Sequence, residues 1–257
     1  MTTVALHSAY LTQRSVKALI RQPVFLVITL IQPMVWLLLF GQLFESVVEI
    51  PGFGVGGSYL EFLTPGVVAM TALFSAAWAG TVYIDDMERG VMDRLLASPV
   101  SRAAMMNGTL AYQSITATVQ TLIVLGVAWL MGARFAWSGV LVTIVAAILL
   151  TVIFAALSNA VALLVRQQEA LIGISQFTAL PLTFLSSAVM NPDLAPGWIG
   201  SVATYNPLDW AVVASRETLL GSPDWAAVWP RLAGLLAAAG FMAWLATRAF
   251  GAYQRSA

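Results

Sequence analysis

Residues 138–165 read SGVLVTIVAAILLTVIFAALSNAVALLV, a run without a charged side chain or a proline. A helix rises about 1.5 Å per residue and the hydrocarbon core of a bilayer is about 30 Å thick, so roughly 20 consecutive apolar residues cross it. The run exceeds that length and predicts a membrane-spanning helix. Four further uncharged stretches have the same character: 24–44, 62–84, 107–131 and 170–191. A sixth, 230–247, carries Arg231 one residue in from its start, where a long side chain can snorkel to the headgroups. The expected fold is an all-α integral membrane protein with six transmembrane helices, a single domain over 1–257.

Composition supports this reading. Of the 257 residues 60% are hydrophobic and only 9% charged, whereas soluble domains carry roughly 25% charged residues. So few charges cannot cover a globular surface. Twelve Lys and Arg balance twelve Asp and Glu, which argues against a nucleic-acid partner, since that needs clustered positive charge. With no cysteine, disulfides, thiolate zinc sites and cysteine nucleophiles are excluded.

Charge placement orients the spans. With the N-terminus cytoplasmic, the inner segments hold nine positive residues (Arg14, Lys17, Arg21, Arg89, Arg94, Arg102, Arg166, Arg248, Arg255) and the outer ones three (Arg134, Arg216, Arg231). This follows the positive-inside bias and predicts both termini inside. Six of the nine tryptophans, Trp129, Trp137, Trp198, Trp210, Trp225 and Trp229, fall at expected outer ends, the headgroup level that indole rings favour. No small-x-small cleavage site follows the first run, so it is expected to be retained as a span.

Two flanking regions read as helices that do not span. In 1–23, Arg14, Lys17 and Arg21 share one helical face, with Ala5, Ala9, Val16 and Leu19 roughly opposite. This predicts an interfacial helix on the cytoplasmic leaflet. The outer region 192–229 is punctuated by Pro192, Pro196, Pro207 and Pro223. Within it Asn206 suits an N-cap, Pro207 N1, Asp209 N3 and Gly221 a left-handed C-terminal position. A short, apolar, re-entrant helix over 207–220 follows, its backbone permitted at membrane depth only where protein or a wet cavity covers it.

Catalytic and metal chemistry find no foothold. Gly52, Gly54 and Gly57 formally match G-x-G-x-x-G, but they follow a span rather than a strand and read as a loop. His7 is the single histidine, and no G-x-S-x-G elbow occurs. Asp85, Asp86 and Glu88 cluster, and helix capping accounts for them, with Asp85 as N-cap and Glu88 at N3. Within the spans the polar residues are neutral: Gln32, Gln113, Thr116, Gln120, Asn159, Gln176 and Thr183. Two readings stay open for these seven, a path for a largely apolar solute or hydrogen bonds between helices. The inner loop 85–106 is the most charged. Met92, Leu95 and Leu96 form an apolar patch, and Arg89 and Asp93 stand four apart. Such a short amphipathic helix reads either as docking into a partner groove or as a solvated connector. Ser98-Pro99 ends it and Ser101 suits the next N-cap.

Three stretches carry a family resemblance. Glu88-Arg89-Gly90 followed by Asp93-Arg94-Leu95-Leu96-Ala97-Ser98-Pro99-Val100-Ser101-Arg102 resembles the inner loop of ABC type-2 permeases, in particular the daunorubicin-resistance type of drug exporter subunit. Gln32-Pro33-Met34-Val35-Trp36-Leu37-Leu38-Leu39-Phe40-Gly41 and Tyr205-Asn206-Pro207-Leu208-Asp209-Trp210, through Arg216 to Leu220-Gly221, agree with it. The resemblance runs along nearly the whole chain. It departs at Asp209-Trp210, where relatives more often carry Thr and an aliphatic or aromatic residue, and this bears on substrate class rather than fold.

The resemblance implies two six-span permeases, identical or paralogous, paired with two cytosolic ABC ATPase subunits and exporting a solute. ATP and magnesium then belong to the ATPase, and this chain holds no catalytic, cofactor or metal site. Glu88, Arg89, Gly90, Met92, Asp93, Arg94, Leu95 and Leu96 match the coupling helix that contacts the ATPase. Residues 5–21 match the interfacial helix, and 191–225, with Asn206, Pro207, Asp209, Trp210 and Arg216, the outer gate. The expected cargo is a hydrophobic drug, antibiotic or lipid-like compound. Polysaccharide or lipo-oligosaccharide export is the alternative within the family, and a non-transporting assembly factor the alternative outside it. Eleven Arg against one Lys suggests a GC-rich genome, and with the resemblance places the chain in a bacterial cytoplasmic membrane among lipids.

The cysteine-free chain makes the orientation directly testable. Single cysteines at Ser58 and Ser222 are expected to react with an impermeant maleimide from outside, while those at Ser101 and Ser256 are protected. The reverse pattern contradicts the assignment.

Overall fold

The computed structural model describes residues 2–21, 24–44, 58–98, 100–189, 197–221 and 223–253, and among these no strand occurs. The loop containing Gly52, Gly54 and Gly57, and Pro99, Pro192, Pro196 and Ser222, lie outside the described residues. The elements in chain order are α1 (Thr2–Arg21), α2 (Val24–Val35), a π-helical turn (Trp36–Phe40), α3 (Gly41–Leu43), α4 (Tyr59–Ala77), α5 (Thr81–Glu88), α6 (Val91–Ala97), α7 (Arg102–Leu130), α8 (Trp137–Val165), α9 (Gln168–Phe184), α10 (Gly197–Ala203), α11 (Pro207–Leu219) and α12 (Trp225–Tyr253).

Five helical stretches are long and apolar enough to cross a membrane: 26–43, 59–88, 102–130, 137–165 and 225–251. They correspond to the expected spans 24–44, 62–84, 107–131, 138–165 and 230–247. The sixth expected span, 170–191, differs. Its helix α9 has 17 residues and ends at Phe184, after which residues 185–189 turn. At about 1.5 Å per residue α9 is about 25 Å long, the lower limit for crossing a bilayer core, so this crossing is shorter than the uncharged run. The uncharged run continues in sequence, but it is spent on a turn.

Helix α4 is the enclosed centre, with Leu63, Val67 and Leu73 fully buried, and it touches α7, α8, α9, α11 and the first span. The first span leans on this core by a thin stripe of Leu30, Pro33, Leu37 and Gly41, while Val27, Ile31, Val35, Leu38 and Leu39 stay exposed. Pro33 lacks an N–H, and the π turn follows directly, the usual pair of causes for a bent helix. Large apolar side chains exposed here, and on α9 and α12, suit hydrocarbon or a second membrane helix rather than water.

The path 59–88 is interrupted at Trp78–Gly80. Ser158 of α8 mends the break: its Oγ accepts from Gly80 N (3.0 Å) and donates to Ala77 O (2.7 Å). Ser175 Oγ of α9 donates to the same carbonyl at 3.0 Å. A Cβ at Gly80 would overlap the Ser158 carbonyl, so the crossing admits only glycine. Capping proceeds as the sequence predicts at Ser101, which accepts from Ala104 N, and at Asn206, which accepts from Leu208 N. It does not at Asp85, because α5 begins at Thr81 and puts Asp85, Asp86 and Glu88 in its last turns instead.

Helix α1 packs along the first turns of α7. Ser8 Oγ reaches Ala104 O at 3.2 Å and Thr12 Oγ1 reaches Gly108 O at 3.2 Å. The packed face is therefore Ser8, Leu11, Thr12 and Ser15. Ala5 and Ala9, expected on the apolar face, are exposed, since small hydroxyl residues let two helices approach closely and share hydrogen bonds.

Removing the stitch should cost stability. Ser158→Ala leaves a buried N–H unpaired and is expected to destabilise the bundle by about 1–3 kcal/mol, read as a lowered thermal midpoint in detergent. Ser175→Ala, which leaves Ser158 in place, should cost less. Equal and negligible effects would contradict the stitch.

Candidate functional site

The expected coupling segment is a helix, a tight turn and a second helix. Gly90 sits between α5 and α6 at φ +64°, a left-handed conformation that favours glycine. A Cβ there would meet open space, so the requirement is conformational rather than steric. The turn leaves Glu88, Arg89, Asp93 and Arg94 exposed. Met92 is wholly buried in the chain's own core, and Leu95 and Leu96 are half-buried against it. Of the apolar patch expected to face a partner, Met92 is thus taken up by the chain's own core, because α6 folds back on the bundle, while Leu95 and Leu96 keep part of their surface. What it presents outward is a charged edge anchored by Met92.

At the opposite end, Asn206, Asp209 and Arg216 of the expected outer gate converge on the end of α9 and the turn after it, while Pro207 and Trp210 stay at the start of α11. Asn206 joins two helix termini: its Nδ2 donates to Leu182 O (2.7 Å) and Leu185 O (2.8 Å) at the end of α9, while its Oδ1 accepts from Leu208 N (2.9 Å) at the start of α11. Pro207 occupies N1, where no amide proton is missed. Asp209 is not spent on its own helix. Its Oδ1 accepts from Ser187 N at 2.7 Å, and Arg216 Nη2 donates to Ser187 O at 2.7 Å. One residue of the 185–189 turn is thereby held through both of its backbone groups by opposite charges about two turns apart on one face of α11. Arg216 also donates to Phe62 O from Nε (3.3 Å) and Nη2 (3.2 Å) and lies 3.8 Å over the Phe62 ring. Trp210 Nε1 donates to Thr204 O at 2.7 Å.

A row of rings leads away from this cluster. Trp36, Phe40, Phe44, Tyr59 and Phe62 follow one another at centroid distances of 4.3, 5.4, 5.8 and 6.1 Å. Tyr59 and Phe62 are buried, so the row pins the outer half of the first span to α4 and Arg216 rather than facing a channel.

The seven neutral polar residues divide. Gln113, Thr116, Gln120, Asn159 and Thr183 are buried, whereas Gln32 and Gln176 are exposed. Gln120 Nε2 donates to Thr29 Oγ1 of α2 at 3.0 Å, and Asn159 Nδ2 to the Met106 sulfur at 3.4 Å. Thr116 and Thr183 bond carbonyls of their own helices, at Tyr112 and Ala179. Gln120 and Asn159 therefore act between helices. Gln32 lines a narrow cleft between α2 and α4 with Thr29, Trp36 and Thr71, and of the seven it and Gln176 are the ones left for a solute or a second chain. Ser158, Ser175 and Ser187 were not legible as site residues, since a serine in an apolar run carries no signal of which broken helix it will face.

The family described as ABC-2 type transporter matches residues 8–220. A daunorubicin resistance ABC transporter permease protein of Streptomyces coeruleorubidus is 28% identical, the alignment covering 84% of this chain and 76% of that protein. A transport permease of Porphyra purpurea is 28% identical, over 84% of this chain and 74% of its own length. A protein of Mycobacterium tuberculosis named for doxorubicin resistance is 28% identical, over 61% of this chain and 59% of its own.

Asp209 and Arg216 share Ser187, so their contributions to stability should not add. A double-mutant cycle with Asp209→Ala and Arg216→Ala is expected to give a coupling of about 0.5–3 kcal/mol. Additive losses would mean that the two charges act independently.

Proposed function

The chain belongs to the ABC-2 type transporter family, and we propose that it exports a hydrophobic drug, antibiotic or lipid-like compound, driven by ATP hydrolysis on a separate subunit. It is the permease subunit of an ABC transporter: the relatives named above are permeases, two of them named for daunorubicin and doxorubicin resistance. The sequence holds no G-x-x-x-x-G-K-[ST], and its one lysine, Lys17, lies in α1. Nucleotide and magnesium are accordingly assigned to the partner ATPase. A second permease copy, the bacterial cytoplasmic membrane and cytoplasmic termini complete the reading.

The observation that carries it is the α5–Gly90–α6 elbow, an exposed charged edge fastened to the core by Met92. A rigid, charged, outward edge suits a docking contact better than a solvated connector, which would have no reason to bury its methionine. Closure of an ATPase dimer would displace α6, and with it α5. The Trp78–Gly80 break, held to α8 through Ser158, would then be the pivot about which α5 moves relative to α4, whose outer end is tied through Phe62 to Arg216. Such a hinge can convert ATP-driven closure into a shift between inward- and outward-open arrangements, provided the ATPase binds the two with different affinity. Polysaccharide export is less well supported, because the rings of the first span are stacked on one another and on α4.

The contact can be broken without touching the core. Arg89→Glu with Arg94→Glu is expected to weaken co-purification with the ATPase by about tenfold or more at low salt and to abolish transport, with the difference from the unmodified chain narrowing as salt rises and with normal membrane insertion. Unchanged co-purification and transport would overturn the docking role of the elbow.

A further inference from the structure

Asp86 is poorly explained by the stability of the fold. It lies in the last turn of α5, where the helix dipole disfavours a carboxylate, and Asp85 adjoins it. Its side chain is only 19% exposed, yet no hydrogen bond from a described residue reaches it. Among the described residues the cation in ion-pair reach is Arg14 of α1, which lines the same cleft at 3.9 Å, beyond hydrogen-bonding distance, and is 61% exposed; Arg89 acts on the carboxylate from further off. A pair so open on one side is screened by water and salt. A half-buried carboxylate in a pair so open on one side keeps room for a further donor.

The same carboxylate lines a cleft of about 230 Å³ between α1, α5, α6 and α7. Leu11, Leu95 and Met105 supply apolar wall and Tyr83 and Tyr112 aromatic wall, while the Tyr83 hydroxyl is engaged with Thr109 at 2.9 Å. An under-compensated negative charge among rings and aliphatic surface matches an organic cation with an apolar body: the carboxylate takes the ammonium and the rings offer cation–π contacts. An anionic headgroup would meet Asp86 and be repelled. The volume is below the roughly 300–1,000 Å³ of pockets that enclose a whole drug-sized ligand, so the cleft suits the charged end while the remainder lies against α1.

We propose that the Asp86 cleft binds the positively charged end of amphipathic organic cations, with Arg14 as the built-in cation that the ligand displaces. This deepens the export reading, on which it rests, by naming the inner end of the bundle as the place where the cationic end of a substrate is first held.

The test sets Asp86 against Arg14. With the full chain in zwitterionic lipid nanodiscs, saturable binding is followed by fluorescence anisotropy for ethidium, a planar cation, and for Nile red, a neutral apolar dye. Asp86→Asn is expected to weaken ethidium binding about tenfold or more, Asp86→Glu to retain most of it, and Arg14→Gln to tighten it severalfold. Nile red should be unaffected by all three. A merely structural salt bridge would make Asp86→Asn and Arg14→Gln behave alike, and that result, or no saturable ethidium binding to the unmodified chain, overturns the proposal. ATP-driven Nile red transport by the assembled transporter separates the two readings: if it persists while the ethidium pattern fails, the site is wrong and export stands. If the ethidium pattern holds while neither dye is transported, the site stands and the export reading fails.

Discussion

Hydrocarbon offers a backbone N–H or C=O nothing to bond, so a chain that leaves the α-helix inside a membrane must find partners within the protein. The architecture here follows from that constraint. At Trp78–Gly80 the exposed backbone groups are taken up by Ser158 and Ser175 from two neighbouring helices. At the end of α9 they are taken up by Asn206, Asp209 and Arg216 from α11. Each irregularity thus recruits polar side chains from another element, and the recruited contacts decide which helices are tied together.

The ties divide the bundle in a way that suits transport. The turn after α9 is bound to α11 through both backbone groups of Ser187, and Arg216 extends that bond to α4 through Phe62. The outer end is therefore braced by charge held against backbone. The inner end is held differently: α5 and α6 fold around Gly90 on one buried methionine and two half-buried leucines, and α5 meets α4 across a break with no continuous helix. On the proposed reading, force applied at α6 would turn α5 about the stitched Trp78–Gly80 break before it disturbs α11 and the turn after α9.

Much of this was legible in the sequence because its signals are one-dimensional. Span length and charge absence located α7 and α8 closely, and Asn206-Pro207 with Gly221 located α11 almost to the residue, since capping chemistry is local. The misses have a common cause. The uncharged run 170–191 is longer than its helix, because where an apolar stretch turns depends on Asp209 and Arg216, 22 and 29 residues beyond Ser187. Asp85 looked like a cap because acidic residues suit helix starts, yet the start was set at Gly80 by close packing on α8. Met92, Leu95 and Leu96 looked unpartnered because periodicity reports a face and not what it meets. Asp209 was recognised as an N-terminal residue of α11, while its engagement with Ser187 is a contact no local pattern encodes.

The central claim is that this chain forms a transport path powered from outside itself. The most direct measurement is uptake of a fluorescent anthracycline into inside-out vesicles containing the chain, its ATPase, or both. The account predicts accumulation that needs both chains and hydrolysable ATP and that stops with a non-hydrolysable analogue. Equal uptake by vesicles lacking the ATPase, or ATP-driven uptake by vesicles lacking this chain, would contradict it.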